Sequence, residues 1–149
     1  MKKVPIIIVG IVLLIWEIHF DFHRRSEINK IALVDLDLEL TGIVENVDNG
    51  DNFHGYGIIR LKIINSNIQA YDPRGKLQYY FCIIKDGIAE VYDHASSSNT
   101  FIGDTLVYNT REKISAIIKN GRKIKNGSIG VNTEDAYYRY ITLKTIFKE

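Results

Sequence analysis

Two histidines and a carboxylate alternate in His19-Phe20-Asp21-Phe22-His23. On a strand the three would share a face and could ligate a metal. On a helix, side chains two residues apart point about 200° away from one another and the set disperses. The segment continues an apolar run, so the helical arrangement is expected, with these groups at a membrane interface and no metal bound. Asp48-Asn49-Gly50-Asp51-Asn52 is rich in oxygen ligands. It departs from calcium-loop spacing, because Gly50 takes the third position and no glutamate falls at the twelfth. A hairpin or long turn accounts for these residues.

Asp35, Asp37 and Glu39 place three carboxylates at alternating positions opposite a leucine ladder. Acid–base work needs two carboxyls facing each other across a cleft with separated pKa values, whereas three in a row describe the wet face of a strand. Lys113, Lys119, Arg122, Lys123 and Lys125 make a basic concentration, and Tyr137, Tyr138, Arg139 and Tyr140 lie further on. Together they could form a platform for single-stranded nucleic acid or a contact for anionic lipid. A solvated hairpin tip beside an ordinary aromatic core is the plainer account.

Gly55-Tyr56-Gly57 opens a dinucleotide fingerprint but meets Arg60 where the last glycine should stand. There is no G-x-S-x-G, H-E-x-x-H, P-loop or C-x-x-C. His54 and His94 are the histidines available as general bases away from the apolar run, and a hydrolase would have to bring them together. Cys82, the sole cysteine, sits in Tyr79-Tyr80-Phe81-Cys82-Ile83-Ile84 and reads as a small core hydrophobe. No catalytic, cofactor-binding or metal-ligating residue is assigned.

The elements that would position such groups start with Lys2-Lys3 and an apolar run from Val4 to about Phe22. Val4 to Phe20 is about 25 Å of helix, at the short end of what crosses a bilayer. A cleaved signal peptide would have a similar start but needs small residues before the cut, and Ser26 is the first after Trp16. A buried soluble helix is the third possibility. A signal anchor fits best, with membrane lipid contacted through residues 4–20 and Trp16, Phe20 and Phe22 in the interfacial belt. No cysteine follows the run, which excludes a lipoprotein. Lys2 and Lys3 favour a cytoplasmic N-terminus and an extracytoplasmic domain, although Arg24 and Arg25 follow closely.

Residues 26–149 then form a single β-rich domain after an anchor over residues 1–25. A chain of 149 residues with nine Tyr, six Phe and two Pro suits one pleated, aromatic domain, and its net charge of +1 steers it toward no polyanion. Ser26 to Ile31 reads as a short helix capped by Ser26, and Val34 to Leu40 as an alternating strand broken at Gly42. Tyr56 to Ile64 is a strand, Asn65 to Gly75 a loop, and Leu77–Lys85 with Ile88–Tyr92 a hairpin turning on Asp86-Gly87. Ser96 to Asn99 is a polar loop, and Thr105 to Tyr108 a strand entered through Gly103-Asp104. Ile114–Lys119 and Arg122–Lys125 pair about Asn120-Gly121, Asn126-Gly127 marks another turn, and Tyr137 to Phe147 closes the chain as a strand. The pattern predicts an all-β, small antiparallel barrel or sandwich, OB-like in size. Its expected role is a binding or structural module of the cell envelope, meeting another envelope protein or a surface polymer through loops such as Asp48–Gly55 or Asn65–Gly75. The alternatives are a cytoplasm-facing tethered barrel binding nucleic acid or anionic lipid, and a hydrolase built on His54 or His94.

Overall fold

The computed structural model describes residues 4–50, 53–94 and 100–148. A long helix, α1 (Val4–Asn29), runs without a break into a π-helical turn, Lys30–Val34. Seven strands follow: β1 (Glu39–Asn49), β2 (Tyr56–Ser66), β3 (Cys82–Lys85), β4 (Ile88–His94), β5 (Thr105–Asn109), β6 (Ile114–Lys119) and β7 (Arg122–Ser128). A second helix, α2 (Asp135–Lys144), comes near the end. The strands form one antiparallel sheet in the order β3-β4-β2-β1-β5-β6-β7, with a one-residue bridge from Tyr71 to Ile84 on the β3 side. The sheet is not closed into a barrel: β3 and β7 remain its two edges.

Two turns follow directly from residue type. Lys85 pairs with Ile88, and Asp86 and Gly87 between them hold φ of 53° and 78°. Lys119 pairs with Arg122 across Asn120 and Gly121, at 51° and 73°. Positive φ at both central positions gives a turn whose twist matches the strands, and Asp-Gly and Asn-Gly are the pairs that tolerate it.

Alternation assigns the two faces of the central strands. From β2 and β4, Ile59, Leu61, Ala89 and Val91 join one core with Leu38, Leu40, Leu106, Phe81 and the Ala32-Leu33 pair of the π-turn. Ile58 and Tyr92 point the other way and meet Tyr137 and Ile141 of α2. β4 is therefore buried at every position from Ala89 to Asp93. Its near-continuous apolar character reflects cover on both faces.

Several sequence expectations are corrected. The segment Tyr137–Phe147 is not a strand: α2 occupies Asp135–Lys144, because Tyr137 and Ile141 stand four apart and bury together on Ile58 and Tyr92. The Tyr137 hydroxyl also donates to the Gly57 carbonyl at 2.7 Å. No separate helix starts at Ser26, since α1 continues through it. The alternating Val34–Leu40 run is mostly helical turn, and β1 begins only at Glu39. Leu38 is held there through Thr110, whose Oγ1 accepts from the Leu38 N–H at 2.8 Å. Gly42 does not end a strand but lies inside β1 beside a register shift, where β2 approaches so closely that a Cβ would stand 2.9 Å from Leu61 Cβ and the Lys62 carbonyl oxygen. Leu77–Phe81 precedes β3 without joining it, and Asn126-Gly127 lies within β7 at a bulge opposite Ser115 and Ala116. The expected Ser96–Asn99 loop falls outside the described residues, as do Asp51 and Asn52 of the Asp48–Gly55 loop.

Candidate functional site

The most conspicuous surface belongs to α1. Its apolar side chains from Ile8 to Phe22 are between 53% and 73% exposed, on every side of the helix. That stretch is about 22 Å long. Among the described residues α1 makes no extended packing against any strand, and no helix is long and apolar enough to cross a membrane. From Ile8 to Trp16 the helix is apolar all round; such a helix normally lies inside something, and among the described residues this one lies inside no part of its own chain. Leaving so many Ile, Val, Leu and aromatic side chains in water costs on the order of 10 kcal/mol.

Among the described residues only the last turns of α1 are tied to the domain. Arg24 Nη2 donates to the Tyr79 hydroxyl at 3.4 Å, and that hydroxyl donates to Asp135 Oδ1 at 3.0 Å. Gln78 Nε2 donates to the same carboxylate oxygen at 3.1 Å. Asn29 Oδ1 accepts from the Val131 N–H at 3.0 Å. The latch joins α1, the Leu77–Tyr79 segment and the first turn of α2. Two grooves flank it: one of about 300 Å³ between α1 and Leu77–Tyr79, and one of about 430 Å³ along α2. Gln78 lines both.

The groups weighed as metal or acid–base sets lie apart. His19, Asp21 and His23 are exposed on α1, where Asp21 pairs with Arg25 at 2.9 Å. Asp35 pairs with Lys30 at 3.5 Å and Asp37 with Arg111, both ahead of β1, so they share no strand face with Glu39. Asp48 ties α2 to the sheet, accepting from the Tyr140 hydroxyl at 2.6 Å and lying 3.6 Å from Lys144. Among the described residues no group of three or more His, Cys, Asp or Glu side chains is placed to hold a metal.

The basic hairpin and the tyrosines also separate. Lys119 pairs with Asp104 at 3.6 Å and lies over the Phe101 ring, while Arg122 and Lys123 are exposed near the β7 edge. Tyr137 is buried under β2 and β4, the Tyr138 hydroxyl donates to the Tyr80 carbonyl at 2.8 Å, and Tyr140 rests on Phe53. α2 covers the β3-β4-β2 end of the sheet, away from β6 and β7. Among the described residues no face shared by these tyrosines and the basic hairpin forms. Cys82 is fully buried, and burial pushes its thiol pKa up.

His54 and His94 do approach one another at the Tyr56 end of β2. The His94 ring lies against Tyr56 with centroids 3.9 Å apart. Burial lowers the His94 pKa, and a hydrogen bond with the His54 backbone pulls the other way. His54 Nε2 is 3.6 Å from Glu134 Oε1, but the imidazole is 83% exposed, so the contact is weak.

Two carboxylates escaped the sequence reading. Glu90 is completely buried, with Arg60 Nη2 donating to it at 3.0 Å, the Thr145 hydroxyl at 2.6 Å and the Ile146 N–H at 3.2 Å. Asp93 is 5% exposed, and its Oδ1 has no hydrogen-bond partner among the described residues. Burial pushes its pKa up to about 7, against the pull of the His94 N–H. For Glu90 the signal was a charged residue inside the apolar run Ile88–Tyr92, which marks a buried, partnered group; Asp93, just past that run, carried none.

Comparison with known proteins leaves the site to its own geometry: no protein-family model, curated protein or solved structure matches the chain.

Proposed function

We propose that α1 seats this chain in a membrane and that the β-domain is a binding or structural module of the cell envelope, held at the membrane surface outside the cytoplasm. The carrying observation is the all-round exposure of α1 from Ile8 to Phe22, together with its lack of packing against the sheet. In a bilayer those side chains lose contact with water, and the backbone groups between the end turns of the helix are already bonded within it. Lys2 and Lys3 support a cytoplasmic start, and Trp16, Phe20 and Phe22 suit the far interface. The rigid sheet then presents its loops, Asn65–Gly75 among them, to an envelope protein or surface polymer.

Reporter fusions after Glu149, one active only in the cytoplasm and one active only outside, test this beside the size of the mature chain. Outside activity with an uncleaved, membrane-pelleted chain is the expected result. Cytoplasmic activity sinks the orientation, and a soluble mature chain sinks the anchor.

A second reading, hydrolysis through His54, draws on its 3.6 Å approach to Glu134 beside His94. It requires turnover in a hydrolase screen that His54→Ala and Glu134→Gln each abolish. Turnover untouched by either change, or none at all, removes it.

A further inference from the structure

The sheet has two edges, and they differ. β3 has four residues, and Tyr71 bridges to Ile84 on its open side. β7 has seven, and among the described residues β6 is its only partner in the sheet. Alternate residues of an edge strand turn both N–H and C=O outward, so β7 is a template for one more strand. Leu106, Ile117 and Ile124 lie directly opposite one another across β5, β6 and β7, and their exposure rises from 0% through 5% to 53%. The core face therefore runs out at this edge with Ile124 half uncovered. Lys123, its neighbour in the strand, projects from the other face. Phe101 and Ile102, 64% and 70% exposed, stand at the hairpin end, where Lys119 lies over the Phe101 ring.

Charge selects the occupant. Residues 113–133 contain five Lys and Arg and no Asp or Glu. Asp104 engages Lys119, whereas Arg122 and Lys123 are exposed, with no acid against them among the described residues. A second copy of β7 would bring these cations against their own kind, and like charges on facing strands repel. A lipid surface could meet the charge but could not continue the ladder of backbone hydrogen bonds. We infer that β7 is a strand-addition site for an extended, acidic segment of a second protein. That segment pairs with the β7 backbone, sets an apolar side chain on Ile124 and brings carboxylates to Lys123 and, at the hairpin end, to Arg122. The inference rests on the binding-module reading and gives that module a partner class and a surface.

The full chain in detergent micelles is titrated with fluorescent synthetic peptides of about ten residues, long enough to cover β7. One alternates glutamate with valine, one has the same charge but a central proline, and one alternates lysine with valine. The inference expects the first to bind at least about tenfold more tightly than the other two, and hydrogen exchange to slow at the amides of Arg122–Ser128. Arg122→Gln with Lys123→Gln should weaken it about tenfold, and Ile124→Asp by a similar factor, with the circular dichroism of the sheet unchanged. Equal binding of the proline peptide would reduce the contact to charge alone and overturn strand addition. So would absence of binding, protection at Cys82–Lys85 in place of β7, or protection of β7 by phosphatidylglycerol vesicles or by raised protein concentration without peptide. None of these failures touches the topology fusions, which test the anchored module separately.

Discussion

At the scale of single residues, the two buried carboxylates of β4 behave oppositely because their surroundings differ. Glu90 has several donors: the Arg60 guanidinium, the Thr145 hydroxyl and the Ile146 amide bind its carboxyl and hold the C-terminal segment against the sheet. Removing such an acceptor leaves Arg60 short of its counter-charge in a mostly buried position. Glu90→Ala should therefore cost about 3–5 kcal/mol, read as a lowered urea midpoint, and Glu90→Gln should cost less. A change below about 1 kcal/mol would show that the clamp contributes little.

Asp93, with an orphan oxygen and a pKa raised to about 7 from an ordinary 3.8, is favoured in its protonated form by the fold. The folded state thus binds the proton more tightly than the unfolded chain. Its contribution is complete below about pH 4, declines as pH rises and is lost above about pH 7, a span of roughly 2–4 kcal/mol. Tyr56, Tyr108 and Tyr137 lie near enough to feel its charge, but they stay neutral across this range because their own pKa values are raised. His94 works the other way: its lowered pKa costs stability as pH falls below about 6.5. Asp93→Asn should raise the thermal midpoint near neutral pH and leave a protein that loses stability only on acidification. An unchanged pH profile in thermal melts would show that Asp93 is ionised and satisfied in the fold.

At the scale of elements, the hairpins and α2 were decided by different physics. Asp86-Gly87 and Asn120-Gly121 need only their own backbone preferences, so both turns were legible in the sequence. Gly42 was misread because its requirement comes from β2, three-dimensionally adjacent but distant in the chain. Gly42→Ala would drive a methyl group into Leu61 and the Lys62 carbonyl, neither of which is a flexible chain end. It should destabilise the domain by about 1–3 kcal/mol, visible in denaturant unfolding. A neutral Gly42→Ala would mean that the β1–β2 pair can widen freely. The Tyr-rich segment of α2 was misread for a related reason. Tyrosine favours strands, but the pair Tyr137 and Ile141 fills an uncovered strip over Ile58 and Tyr92, and burial outweighs a propensity difference of about 1 kcal/mol.

At the scale of the whole molecule, a covered sheet and a bare helix are joined at one latch. Sheet and α2 bury their apolar faces against each other, whereas α1 buries only its end. Val12→Asp together with Ile15→Asp should abolish vesicle flotation of the full chain, since each charge at a helix centre opposes insertion by about 2.5–3.5 kcal/mol. The β-sheet signal in circular dichroism should survive, because neither residue touches the sheet core. Persistent flotation of the double variant would place membrane contact elsewhere, with the basic β6–β7 hairpin the next surface to neutralise.

The sequence by itself determined the apolar helix, the two Asx-Gly hairpins, the antiparallel character and the separation of His19, Asp21 and His23, all of which depend on neighbours within a few residues. Tertiary structure alone decided the order of strands in an open sheet, the helical fate of Asp135–Lys144, and the strands against which Tyr137 and Tyr138 pack. It also decided that Glu90 is clamped while Asp93 is left with a bare oxygen. Those outcomes turn on which distant surface is free to cover an apolar strip or to offer a donor, and that is set by packing between segments far apart in the chain.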